Sequence, residues 1–314
     1  MNVLLRCVVL ALAAFGITFV AVSLVIAARW ALRRPDGPAA WRADRLLHLR
    51  LQPAFWALVV LAFSIVGLYR FESREGDELL GRVFWFLGAF GGTLLLVAIG
   101  RIARMQCRTR RLAKAWLADA TPVTLAGLPI PAFSINTGYP VVAVIGVLRP
   151  RLVIDRLVLR ACAESELQAI LAHERGHVRR WDNLRRLAFA AVPGSWGAPG
   201  LARAWRDATE EAADDLAAAS ADDARFHLAT ALLRVSRLAP PRDEANWHVH
   251  LPASALYRGD SIEHRVRRLV DGSTAGPLRD RSWATVLGAL VIATAFALQR
   301  EIHDAMEVVV AVLP

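Results

Sequence analysis

Residues 173–177 read His-Glu-Arg-Gly-His, and the spacing of the two histidines decides how the rest of the chain is read. A helix turns about 100° per residue, so positions four apart stand nearly one above the other. On a helix, the imidazoles of His173 and His177 therefore reach one metal ion from a single face. Glu174 then stands beside the ion's open coordination position, where a carboxylate can serve as general base toward water.

The neighbouring sequence supplies that helix on independent grounds. Ala163-Glu164-Ser165-Glu166 puts acids in a first turn, Leu167, Ile170 and Leu171 form a core-facing stripe, and Arg175, Arg179 and Arg180 follow near the end. Acids first and bases last is the order that the helix dipole favours.

A catalytic zinc takes three protein ligands, so one more is needed. Downstream lies Arg206-Asp207-Ala208-Thr209-Glu210-Glu211-Ala212-Ala213-Asp214-Asp215, followed by an Ala-rich run. Glu210 and Asp214 share one helix face, so the first can bind metal while the second fixes the tautomer of a ligating imidazole. Glu211 and Asp215 have the same spacing, and spacing alone leaves both pairs open. His248 and His250 fall in a Pro-flanked loop, and His48, His227, His264 and His303 are scattered as surface or interface residues.

The rest of the chain points to a bilayer. Of 314 residues 55% are hydrophobic and 21% charged, too apolar for an ordinary soluble domain. Four windows approach the roughly 20 apolar residues that a span needs: Cys7–Ala28, Leu51–Tyr69 opened by Pro53, Val83–Gly100 and Ser282–Gln299. The third carries Gly88 and Gly92 at G-x-x-x-G spacing, which allows close helix approach. Positive charge follows the first window rather than leading it, so that window reads as a retained span.

The net charge of +10 is mostly arginine, and it clusters between the first and second windows, after the third and before the fourth. The connection between the second and third is acidic, with Glu72, Glu75, Asp77 and Glu78. The positive-inside rule then sets the N-terminus outside, the region from about 101 to 281 in the cytoplasm and the C-terminal tail outside. No aromatic-interleaved basic platform supports a nucleic-acid partner. Cys7, Cys107 and Cys162 are scattered without a C-x-x-C pair, which suits a reducing compartment for the non-membrane part.

Val141–Val147 and Leu152–Val158 are β-prone runs split by Leu148-Arg149-Pro150-Arg151, read as a hairpin or a pair of short strands that either cover the metal-bearing helix or take up a substrate backbone as an extra strand. Leu184–Gly200 is apolar but broken by Pro193, Gly194, Gly197 and Pro199, a buried or interface-grazing helix and turn.

Three stretches together resemble a known family: Gly-Val-Leu-Arg-Pro-Arg-Leu-Val-Ile-Asp (146–155), Ala-Ile-Leu-Ala-His-Glu-Arg-Gly-His-Val-Arg-Arg-Trp-Asp (169–182) and Glu-Glu-Ala-Ala-Asp (210–214). With the N-terminal spans and a late final one, the chain resembles the antirepressor-type membrane zinc metallopeptidases of the BlaR/MecR kind. It is more distantly similar to HtpX-like membrane proteases. The resemblance implies that His173, His177 and Glu210 hold Zn2+, that Glu174 is the general base, and that Asp214 supports a ligand from behind.

It also implies a fold: an α-helical membrane protein with about four spans plus a cytoplasmic, mainly-α (α+β) gluzincin-like zinc metallopeptidase domain. The divisions are 1–104, 105–281 and 282–314. The expected setting is a bacterial-type inner membrane, with a protein or peptide substrate that is a cytoplasmic repressor or the chain itself. Only Arg300–Pro314 follow the last span, so the family's extracellular sensor domain is not expected, and a signal would enter through the spans, a short loop or a partner. Two other readings fit the same residues: a quality-control protease, and a non-catalytic membrane scaffold with a structural metal site.

Overall fold

The computed structural model describes residues 3–32, 34–71, 81–194, 198–238, 254–255 and 262–272. The expected fourth span, His248, His250 and His303 lie outside the described residues.

Three long helices open the chain: α1 (Val3–Leu32), α2 (Ala39–Phe71) and α3 (Arg82–Leu117). All three are long and apolar enough to cross a membrane. α1 and α3 pack on each other through glycine. A Cβ on Gly91 would sit 2.0 Å from the carbonyl oxygen of Leu12, and one on Gly88 2.9 Å from that of Val9. Gly92, the expected partner of Gly88, meets only the Leu12 side chain at 3.7 Å. The close approach of α1 to α3 thus runs along Gly88 and Gly91.

The helices outrun the apolar windows. Pro53 was expected near a helix start, but it lies inside α2, which begins at Ala39. The early start has a tertiary cause. Ala43 and Leu46 recur on one face and are buried in a cluster with Trp30, Phe189, Leu201, Trp205 and Ala208. Burial of that face outweighs the backbone hydrogen bond lost at the proline. Similarly, α3 continues past its arginines, and Ala113, Trp116 and Leu117 pack beneath the sheet.

The sheet contains β1 (Thr121–Val123), β2 (Ala132–Ile135), β3 (Val142–Ile145), β4 (Arg151–Asp155) and β5 (Ser254–Ala255), in the order β1-β2-β4-β3-β5. β3 and β4 form the expected antiparallel pair, with Val142 opposite Ile154 and Val144 opposite Leu152. These four face one core with Ile170 and Leu171, whereas Ala143, Ile145 and Val153 face α3. With both faces covered, the strands read as continuous apolar runs.

The second β-prone run ends earlier than expected. Residues Arg156–Ala161 form a short helix, α4, because the Asp155 carboxylate accepts the N–H of Leu157 and caps it. Five further helices complete the described part: α5 (Glu164–Arg179), α6 (Asp182–Ala191), α7 (Leu201–Ala218), α8 (Ala224–Leu238) and α9 (Ile262–Asp271). Glu166 fixes the start of α5 by accepting the Ala163 N–H at 2.8 Å. The stripe facing the core includes Ile170 and Leu171, 0% and 1% exposed. α6 ends against the long helices, where the guanidinium of Arg50 donates to the carbonyls of Phe189, Val192 and Gly194.

Candidate metal centre

The pentapeptide of residues 173–177 lies wholly within α5, so His173 and His177 are one turn apart on the buried side. Their Nε2 atoms stand 3.2 Å apart. α7 brings the third group. The Oε2 of Glu210 lies 3.6 Å from Nε2 of His173 and 3.7 Å from Nε2 of His177. Small residues make that approach possible: Gly176 faces Ala213, and a Cβ there would lie 3.4 Å from the Ala213 Cα.

Each imidazole is tied from behind. Nδ1 of His173 is 2.9 Å from Oδ1 of Asp214, and Nδ1 of His177 is 2.7 Å from Oδ2 of Asp182. The His177 Nδ1 bonds Asp182, and the His173 Nδ1 lies at ion-pair distance from Asp214, an arrangement that leaves both Nε2 atoms on the inner side. Two lone pairs and an anionic oxygen facing inward repel unless a cation or protons lie between them.

A divalent metal fits these residues. Tetrahedral ligands at about 2.0–2.1 Å from zinc lie roughly 3.3–3.4 Å from one another, close to the three separations found. The Oε2 of Glu210 is also buried without a hydrogen bond. An orphaned carboxylate oxygen costs free energy that a cation would recover.

The electrostatics agree in sign. Burial pulls the His177 pKa down, but the charges and hydrogen bonds of Glu210 and Asp182 outweigh it and raise the pKa to about 10. His173 is also raised, since Asp214 and Glu210 overcome its burial. Burial pushes Glu210 up, and the facing imidazoles and Arg265 more than reverse that, holding it well below the usual carboxylate range. Protons gather where a metal would sit, and the two compete for the same lone pairs.

The other acidic pair faces elsewhere. Glu211 accepts a hydrogen bond from Arg42, and Asp215 one from Arg268. Of the two spacings that the sequence left open, Glu210 with Asp214 is the one turned to the imidazoles. Glu174 is 0% exposed and one residue from His173. His264, expected at the surface, has its side chain 68% exposed and its Nε2 3.4 Å from Glu211.

Three buried groups were not anticipated in these roles. Asp182 stands five residues beyond His177, a spacing that shares no helix face, so periodicity could not find it. It reaches back because Trp181 adopts a left-handed turn, φ 55°, between α5 and α6. Arg186 donates to Oε1 of Glu210 at 3.0 Å. Arg265 of α9 grips Asp214 with two bonds of 2.8 and 2.6 Å, and its Nη1 lies 3.5 Å from Oε2 of Glu210. In the sequence Arg265 counted merely as one of the charges before the last span.

No curated protein matches this chain. Residues 131–269, the stretch from β2 to α9, match the family model described as BlaR1 peptidase M56, which bears out the resemblance of this chain to the BlaR/MecR-like membrane peptidases.

Proposed function

We propose that the chain is a zinc-dependent endopeptidase with its centre at the cytoplasmic face of a membrane, and that it cuts a regulatory protein or itself. The observation that carries this reading is the convergence of the two Nε2 atoms and Oε2 of Glu210 beside the buried Glu174. His173, His177 and Glu210 would hold the ion. When bound, zinc supplies Lewis acidity that polarises a peptide carbonyl and makes a water easier to deprotonate.

The remaining steps belong to the chain. Glu174 accepts the proton of the attacking water and later returns it to the leaving amine. Asp214 and Asp182 keep His173 and His177 in the tautomer that presents Nε2. Arg265 holds Asp214 in turn, so that the support of His173 is itself fixed. Burial excludes bulk water from all of these groups and strengthens their interactions.

The orientation rests on the arginine distribution in the connections, and the regulatory role on the family resemblance. Replacing Glu174 with alanine tests the enzyme reading: zinc should stay bound while cleavage of protein substrates and self-cleavage both stop. A variant that cleaves like the parent would favour a scaffold with a structural metal. Broad digestion of unfolded proteins by the parent would favour a quality-control role. A reporter fused after Gly76 should be found outside the membrane, and one at Gly259 inside; the reverse would overturn the orientation.

A further inference from the structure

On the side of α7 next to the metal centre is a cavity of about 410 Å3, within the usual range of a ligand site. Its walls come from the end of α1, the first turns of α2, α7 and α9, and both Glu210 and Arg265 line it. Whatever fills it therefore lies beside the carboxylate that faces the imidazoles.

The lining is divided by chemistry. Trp30 and Leu46 give a buried apolar wall, 5% and 3% exposed, while Arg34 and Arg203 are exposed at the rim. Most charges in the wall are already engaged. Glu211 is bonded by Arg42 and Glu210 by Arg186, while Arg265 bonds Asp214. Arg34 and Arg203 form no salt bridge among the described residues, and Arg34 stands 5.3 Å over the Trp30 ring. Asp207 is the one lining acid without a salt bridge among the described residues, although the charges of Arg206 and Arg203 act on it, which leaves one carboxylate against the two rim guanidiniums.

We propose that this cavity is the subsite for a substrate side chain next to the scissile bond, and that it selects an acidic one. A glutamate would lay its methylene stem on Trp30 and Leu46 and set its carboxylate between Arg34 and Arg203. The proposal rests on the peptidase reading for what the occupant is, and it is tested by binding so that the two can fail separately.

The test uses the full-length Glu174→Gln protein in phosphatidylcholine nanodiscs, loaded with zinc. Fluorescent peptides from a positional library carry Glu, Gln or Lys at each position in turn, and their Kd is read by anisotropy. At one position Glu should bind about ten-fold tighter than Gln and still tighter than Lys, a change expected for a partly desolvated charge pair. Arg34→Glu, and separately Arg203→Glu, should reverse the order of Glu and Lys while zinc content stays unchanged.

Equal Kd for the three residues at every position, or an order that neither reversal changes, would overturn the proposal. So would an Arg34 effect seen only after anionic phosphatidylglycerol is added, since the site would then take a lipid phosphate. Selective binding by a chain whose parent cleaves nothing would keep the subsite and refute the peptidase reading alone.

Discussion

Replacing Asp182 with alanine removes the acceptor that orients His177. The contact is 2.7 Å between groups 3% and 1% exposed, so no water can readily take its place. Freed from Asp182, the imidazole can rotate or carry its proton on Nε2, and both outcomes withdraw the lone pair that faces Glu210. Loss of such a supporting carboxylate weakens metal binding about 10–100-fold, or roughly 1.4–2.8 kcal/mol. In the zinc-free protein the same change removes a buried hydrogen bond and the acid in the first turn of α6, so folding should also weaken, by about 1–3 kcal/mol. Affinity is therefore compared between folded proteins.

Competition between the detergent-solubilised protein and a chromogenic zinc chelator measures the first quantity, and thermal unfolding of the zinc-free protein the second. Asp215→Ala serves as the control, because Asp215 is bonded to Arg268 and faces away from the centre. The reasoning is refuted if folded Asp182→Ala binds zinc within two-fold of the parent.

Other predictions follow from single contacts. Glu210→Ala should lose zinc while Glu211→Ala keeps it, read by metal analysis of the purified variants; the opposite pattern would exchange the two roles. Gly91→Ala puts a methyl 2.0 Å from a backbone oxygen of α1 and should destabilise the helix packing by about 1–3 kcal/mol, whereas Gly92→Ala should not, read by unfolding in detergent. Cys162 is buried, with burial and Glu166 raising its pKa to about 11, so below that pH it remains a thiol. At pH 7.5 maleimide should therefore label the exposed Cys107 first, and equal labelling of folded protein at both would contradict the packing around α4 and α5.

What the sequence disclosed and what it hid divide by range. His173 and His177 were legible because helical periodicity turns a spacing of four into a shared face. Glu210 and Asp214 were legible as a face but not as a choice, since Glu211 and Asp215 have the same period. What separates the pairs is the rotation of α7, set by Gly176 against Ala213 and by Arg42 and Arg268 drawing the second pair away.

Asp182 and Arg265 were hidden for different reasons. The former depends on one residue in a left-handed turn, and the latter crosses 51 positions to reach Asp214. The helix ends were misread where tertiary burial extends a helix beyond its apolar window, as at Ala43 and Leu46 ahead of Pro53. The capped turn at Asp155 is the reverse case, since one side chain there stops a β-prone run early.

The central claim is that two imidazoles and one distant carboxylate hold a single divalent ion. X-ray absorption at the zinc edge, on gently extracted full-length protein with metal counted in parallel, tests it most directly. One zinc per chain, with two imidazole nitrogens and oxygen in the nearest shell, and its loss in His173→Ala and in Glu210→Ala, is the predicted result. Protein that folds without stoichiometric metal and takes none up when zinc is supplied would contradict it, as would zinc that both substitutions leave in place.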